Sequence, residues 1–196
     1  MALFEKTLQG IKNLDSVLST AANTFKTEKE RIMGTYKEDV FVQKVNELKK
    51  VFDETVEQQK QACRETVQSD FSAVRERINK VVTVSPPADF PATLEAVRVS
   101  GKSISDYEAT VLLEKYNGNY LAYRTLAEVL HQQGKAEDVL VMQPDAILRE
   151  IEDTETKFMQ IINDGSISLW GALFLEEEPT MEDMVQRFLD GQYVKV

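Results

Sequence analysis

The stretch that decides the fold is residues 36–82, YKEDVFVQKVNELKKVFDETVEQQKQACRETVQSDFSAVRERINKVV. It contains no Pro or Gly and is rich in Glu, Lys, Gln and Arg, which favour helices. Its apolar residues recur mostly in steps of three and four, so they share one face of an α-helix. This apolar stripe consists of Phe41, Val45, Leu48, Phe52, Val56, Cys63, Val67, Phe71, Val74, Ile78 and Val81. A helix of this length spans roughly 70 Å and needs a partner along its apolar side.

The spacing of the stripe indicates how that partner packs. The average step is about 3.6 residues, whereas a left-handed coiled coil repeats every 3.5 residues. We therefore predict nearly straight helices in a bundle or hairpin. We also expect self-association, because the helical pattern before the stripe is too short to cover it. The predicted oligomer interface consists of Phe41, Val45, Leu48, Phe52, Val56, Val67, Phe71, Val74 and Ile78.

A second amphipathic pattern occupies residues 2–33, directly before the long helix. Gly34 follows it, and Thr35 with Glu38 has the spacing of a capping box that would start the long helix. This order predicts a break near residues 34–35 and a bend or α-hairpin. The alternative is one continuous helix through Gly34, at a cost of about 1 kcal/mol.

Beyond the stripe, the sequence predicts shorter helices. Pro86 and Pro87 end the long helix, and residues 105–134 form a helical hairpin that begins with a Ser105–Glu108 capping box. The residues expected to be buried in this hairpin are Tyr107, Val111, Leu112 and Tyr116 on its first helix, and Tyr120, Tyr123, Leu126, Ala127 and Leu130 on its second. We predict an all-α fold with a long helical rod or hairpin over 1–84, a linker with a short helix over 85–104, and a helical domain over 105–196.

Charge and composition exclude several classes of protein. The formal net charge is −10, and residues 135–196 hold fourteen acidic residues against five basic ones. We expect no nucleic-acid partner, because no basic patch exists to bind phosphates. We expect no membrane association, because no run approaches the ~20 apolar residues of a span. A single cysteine, Cys63, excludes an internal disulfide. The expected location is the cytoplasm, or a virion assembled there.

Few residues suggest chemistry. Residues 96–103, AVRVSGKS, match a relaxed phosphate-binding pattern, in which Lys102 would neutralise phosphates and Ser103 would hold magnesium. Nearby prolines and the lack of a parallel-sheet pattern oppose that interpretation and favour a loop between helices. His131 is the only histidine, so it cannot build a His-rich metal site. We expect no catalytic residue, cofactor or metal.

The most apolar short run covers residues 167–175, beside three glutamates at 176–178. Apolar anchors next to acidic residues suit docking on a partner with a basic rim. The predicted docking residues are Leu169, Trp170, Leu173 and Phe174. The alternative is that these side chains complete the core of the C-terminal part.

The predicted hairpin over 105–134 contains EKYNGNY at 114–120 and RTLA at 124–127. In these residues it resembles a segment of uncharacterised bacteriophage and prophage proteins. The acidic, helix-rich chain is also similar to phage scaffolding proteins, but it departs from many of them in having an acidic C-terminal part instead of a basic helix. The resemblance implies a structural or assembly role and protein partners of the same assembly.

Three hypotheses of function follow from the sequence. The first is a non-enzymatic structural or assembly protein of a phage particle or its scaffold, which self-associates through the long helices. The alternative is a cytoplasmic adaptor or regulator that binds another protein through its rod or its C-terminal segment. The third, a nucleotide-dependent enzyme, depends only on the Gly101–Ser103 match.

Overall fold

A computed structural model describes residues 3–164 and 181–194 of the chain. The described residues are helical apart from turns, loops and one isolated antiparallel bridge between Val141 and Val194, so the predicted all-α fold is confirmed. The helices are α1 (Glu5–Thr35), α2 (Glu38–Thr83), α3 (Phe90–Ser100), a 3-10 turn (Gly101–Ser103), α4 (Asp106–Lys115), α5 (Tyr120–Gln132), α6 (Pro144–Asp164) and α7 (181–189).

The predicted break between the two long helices is confirmed, because α1 ends at Thr35 and α2 begins at Glu38. The predicted capping box of Thr35 and Glu38 is wrong. Thr35 is the last residue of α1, and its hydroxyl donates a hydrogen bond to the Arg31 carbonyl at 2.7 Å. The hydroxyl therefore bonds a carbonyl in the last turn of the first helix and does not cap the second helix.

The chain divides into two compact units. The first contains Met1–Phe71 and Asp153–Glu178, and the second contains Ser72–Glu152 and Pro179–Val196. Two of the three boundaries fall inside helices, α2 and α6, and the third lies outside the described residues, whereas the sequence places a division at the end of α2. Local periodicity cannot indicate such a division, because it depends on which distant segments pack together.

In the first unit, α1 and α2 form an antiparallel hairpin. The rings of Phe4 and Phe71 stack with centroids 4.4 Å apart, and the centroids of Phe25 and Phe52 lie 5.1 Å apart. Residues with higher numbers on α1 thus contact residues with lower numbers on α2, as in an antiparallel pair of helices. At the base of the hairpin, the backbone N–H and the hydroxyl of Thr7 donate to the Asp70 carboxylate at 2.8 Å and 3.1 Å.

The end of α6 adds a third helix to the base of this hairpin. The rings of Phe158 and Phe71 meet in a T-shaped arrangement, with centroids 5.9 Å apart. Further along α6, the carbonyl of Asn163 accepts from Lys60 Nζ at 2.8 Å, and its side-chain oxygen accepts from Arg64 Nε at 3.0 Å. The described part of α6 therefore reaches the hairpin as far as Lys60.

In the second unit, the hairpin of α4 and α5 has the predicted Ser105–Glu108 capping box. The predicted buried face of α5 is confirmed, because its five named residues are at most 6% exposed. The predicted face of α4 is partly wrong, since Tyr107 is 78% exposed and Val111 is 44% exposed. Ala109 and Leu113 are buried instead, so the side of α4 that carries Tyr107 and Val111 faces outward.

Candidate interaction surfaces

The apolar stripe of α2 has two parts that differ in burial. Val67, Phe71, Val74 and Ile78 are at most 2% exposed within the chain. Phe41, Val45, Leu48, Phe52 and Val56 are only partly buried. The first four residues therefore have no surface left for a second copy, although the sequence assigns them to an oligomer interface. Only the second part of the stripe keeps apolar surface that another protein chain could cover.

The extent of α6 accounts for this difference in the first unit. Near Phe71 the stripe packs against both α1 and α6, whereas beyond Lys60 the described partner is α1 alone. A helix with one neighbour can bury only part of a broad apolar face. Toward the tip from Lys60, the hairpin is thus a pair of helices that lacks a described third member, and we call this region the open part of the hairpin.

The side of α2 that faces α6 at Lys60 and Arg64 continues toward the hairpin tip. Steps of three and four residues from Lys60 define an open face, which consists of Val42, Val45, Lys49, Asp53 and Val56. Val42 is 52% exposed, and both charged residues are also exposed. The open face therefore has apolar residues on both sides of one basic and one acidic side chain.

Two neighbouring pairs of charges on α2 are already paired within the helix. Lys44 and Glu47 lie 2.8 Å apart, and Lys50 and Glu54 lie 3.8 Å apart. The hydrogen bond from Lys44 lowers the pKa of the Glu47 carboxyl. Among the described residues, by contrast, Lys49 and Asp53 form no ion pair. Their charges remain available to a partner.

More apolar surface lies near the tip of the hairpin. Met33 at the end of α1 is 64% exposed, Tyr36 in the connection is 41% exposed and Val40 at the start of α2 is 43% exposed. Scattered single apolar residues are normal on a protein surface, but these three are close in sequence at a helix–helix connection. The tip therefore carries exposed apolar side chains of its own.

A second candidate surface is a groove between α3 and α4 in the second unit. It encloses about 330 Å³ and is lined by Thr93, Ala96, Val97, Ser100, Ile104, Tyr107, Glu108, Val111 and Leu112. The one carboxylate among these residues, Glu108, accepts hydrogen bonds from the Ser105 N–H and hydroxyl at 2.8 Å and 2.7 Å, which lower its pKa. The groove is therefore mainly apolar, and the outward turn of α4 forms one of its walls.

The residues that the sequence suggests for chemistry make hydrogen bonds or packing contacts within the helical fold. Residues 96–100 belong to α3, and the Ser103 hydroxyl donates to the Ser100 carbonyl at 2.6 Å, so no strand–loop–helix surrounds the phosphate-binding match. His131 lies in the last turn of α5, where its ring bonds the Ala136 carbonyl. Cys63 is buried, and burial raises the pKa of its thiol.

The predicted docking residues Leu169, Trp170, Leu173 and Phe174 lie outside the described residues. Within the described ranges, no group of three or more His, Cys, Asp and Glu side chains is placed to hold a metal ion. None of the helices in the described part of the chain combines the length and the hydropathy of a membrane span. No protein-family model, curated protein or solved structure matches the chain.

The sequence alone does not identify the open face of α2 or the groove between α3 and α4. The open face needs the end point of α6, which comes from contacts about 100 residues apart in the chain. The groove needs the orientation of α4, which periodicity does not determine, because both sides of that short helix carry apolar residues. The signal in the sequence is the set Tyr107, Val111 and Leu112, which periodicity places in the core and which lines the groove in the structure.

Proposed function

We propose that this chain is a non-enzymatic structural or assembly protein that self-associates through the hairpin of α1 and α2. The observation that carries the proposal is the change in burial along one continuous stripe. The same pattern of apolar residues is fully covered where α6 is present and half-covered beyond it. A second copy would supply the missing neighbours and complete a bundle.

The energetics of burial support a reversible association. Five partly exposed apolar residues remain on the stripe, and fully burying a large apolar side chain contributes about 1.5–3 kcal/mol. If about a third of that remains to be gained at each residue on two copies, the gross gain is roughly 5–10 kcal/mol. Association costs offset several kcal/mol of it, so we expect affinity near the micromolar range.

Sedimentation velocity and light scattering from about 1 to 100 µM test the proposal. We expect the mass to rise with concentration in the wild type, and we expect Val45→Asp to abolish that rise. Val99→Asp is the matched control, because Val99 is 78% exposed on α3 and lies outside the hairpin. Circular dichroism verifies that both variants keep their helices. A wild type that stays monomeric throughout the range would refute self-association.

The assembly that we propose for this chain is a phage particle or its scaffold, formed in the cytoplasm with other proteins of that particle. The support is the resemblance of residues 105–134 to phage and prophage proteins, together with the helical, acidic character of the chain. Co-purification of the chain with capsid or tail precursors tests this context. Its absence from such particles at every stage of assembly would contradict it.

The groove between α3 and α4 favours a second candidate function, that of an adaptor for another helical protein. Its apolar lining and the 78% exposure of Tyr107 are features of a surface that receives an apolar helix. Under this alternative the wild type is monomeric, and Tyr107→Ala weakens partner binding while Val45→Asp does not. The opposite pattern, with association lost only in Val45→Asp, favours the assembly function.

A further inference from the structure

We propose that the second copy packs antiparallel on the open face of α2, around a two-fold axis that crosses this face midway between Lys49 and Asp53, so that Lys49 of each copy lies opposite Asp53 of the other. This inference rests on the proposed self-association and specifies its surface and its orientation. It follows from the order of charges along the open face and from the area that the face offers.

The two charged side chains of the open face lie at equal distances from position 51, with opposite signs on its two sides. Val42 and Val45 lie on the tip side, Val56 lies on the base side, and between them lie Lys49 and Asp53, which form no ion pair within the described ranges. When two such faces meet head to tail, the basic side chain of each meets the acidic side chain of the other. Val45 then lies next to Val56 of the second copy, so apolar contacts flank both ion pairs.

Parallel packing of the same face gives the opposite result. Lys49 would then lie opposite Lys49 of the second copy, and Asp53 would lie opposite Asp53. Like charges at facing positions repel, and across an interface such repulsion disfavours the wrong arrangement. The charge order therefore selects the antiparallel arrangement, while the valines supply the attraction that both arrangements share.

The area of the open part of the hairpin is sufficient for a specific dimer. From Val42 to Lys60, the helix rises about 27 Å, at 1.5 Å per residue. The proposed contact includes α1 beside α2, and two helices side by side present a surface about 20 Å wide, because helix axes lie 8–10 Å apart. The contact would thus bury roughly 550 Å² per copy and about 1,100 Å² in total, close to the lower limit for specific interfaces.

Charge reversal tests the facing pairs by sedimentation equilibrium. Lys49→Asp and Asp53→Lys each place like charges at both pairs, so we expect each to weaken dimerisation on the order of tenfold at low salt. The double variant Lys49→Asp with Asp53→Lys restores opposite charges and should return the affinity to near that of the wild type. Single variants that dimerise as tightly as the wild type would overturn the proposal.

A distance measurement tests the orientation directly. Asp39 is exposed near the hairpin tip and lies outside the open face, so it can carry a spin label as Asp39→Cys in a Cys63→Ala background. The antiparallel arrangement separates the two labels by 24 residues along the helix, or roughly 35–40 Å, whereas the parallel arrangement brings them within about 20 Å. Pulsed electron resonance distinguishes these distances.

The two experiments separate failure of this inference from failure of the proposed function. A dimer that Val45→Asp disrupts, but that shows short label distances and ignores charge reversal, would refute only the antiparallel arrangement. A wild type that is monomeric at about 100 µM would refute both, and it would indicate that the chain's own residues after Asp164 or another protein covers the open face.

Discussion

Replacement of Phe71 by Ala tests whether the base of the hairpin is the most stable part of the first unit. Phe71 is 0% exposed and contacts two rings, Phe4 at 4.4 Å and Phe158 at 5.9 Å between centroids. Truncating a fully buried Phe costs about 3–5 kcal/mol, because the apolar contacts are lost and a cavity remains. For a chain of this length, a loss of about 4 kcal/mol lowers the melting temperature by roughly 8–16 °C.

The matched control for this change is Phe52→Ala on the same stripe. Phe52 is partly exposed and has one ring contact, with Phe25 at 5.1 Å. Part of its ring is already hydrated in the folded chain, so we expect a loss of only about 1–2 kcal/mol in the monomer. Thermal and urea unfolding, followed by circular dichroism well below the association range, provide the comparison. Equal losses for Phe52→Ala and Phe71→Ala would refute the difference in burial along the stripe.

Three further changes test individual contacts by urea unfolding. Asp70→Ala removes the acceptor of two hydrogen bonds at the start of α1, and we expect it to lower the free energy of unfolding by about 1–2 kcal/mol. Hydrogen bonds from Ser105 lower the pKa of Glu108, so their stabilisation is present above the carboxyl's unfolded pKa and is lost as the pH falls through the folded value. The stability difference between wild type and Glu108→Gln should therefore shrink from pH 7 to pH 3, and a constant difference would contradict this. Gly191 has φ +83°, and a Cβ there would lie 2.9 Å from Gly118 Cα, so Gly191→Ala should cost about 2 kcal/mol or more, whereas an unchanged midpoint would exclude this close approach.

The sequence predicts those features that local patterns determine. The break after α1, the Ser105–Glu108 capping box and the buried face of α5 each depend on residues within one or two helical turns. Hydrophobic periodicity and capping chemistry act over that distance, so the sequence contains the relevant information directly. For this reason the all-α fold and most of its helices could be predicted.

The candidate surfaces depend on contacts that the sequence does not show locally. Asn163 is about 100 residues from Lys60 and Arg64, and that contact determines where the covered part of the stripe ends. On α4, Ala109 and Leu113 lie on the buried side, which leaves Tyr107 outside. A periodic pattern identifies a face with apolar residues, but it does not identify the segment that covers it. The oligomer interface therefore stays a prediction for the open part of the stripe.

The hydrogen bonds between Thr7 and Asp70 also determine the register of the hairpin. Valines, leucines and phenylalanines on two straight helices can pack in several alignments that differ by a turn, because apolar contacts are not directional. A slide of α1 by one turn, about 5.4 Å, would separate the buried Thr7 from the Asp70 carboxylate, which accepts from both of its donors. Such an alignment would leave polar groups buried without partners, at a cost of about 1–3 kcal/mol each. One polar contact at the base thus selects a single alignment for a hairpin whose tip lies more than twenty-five residues away.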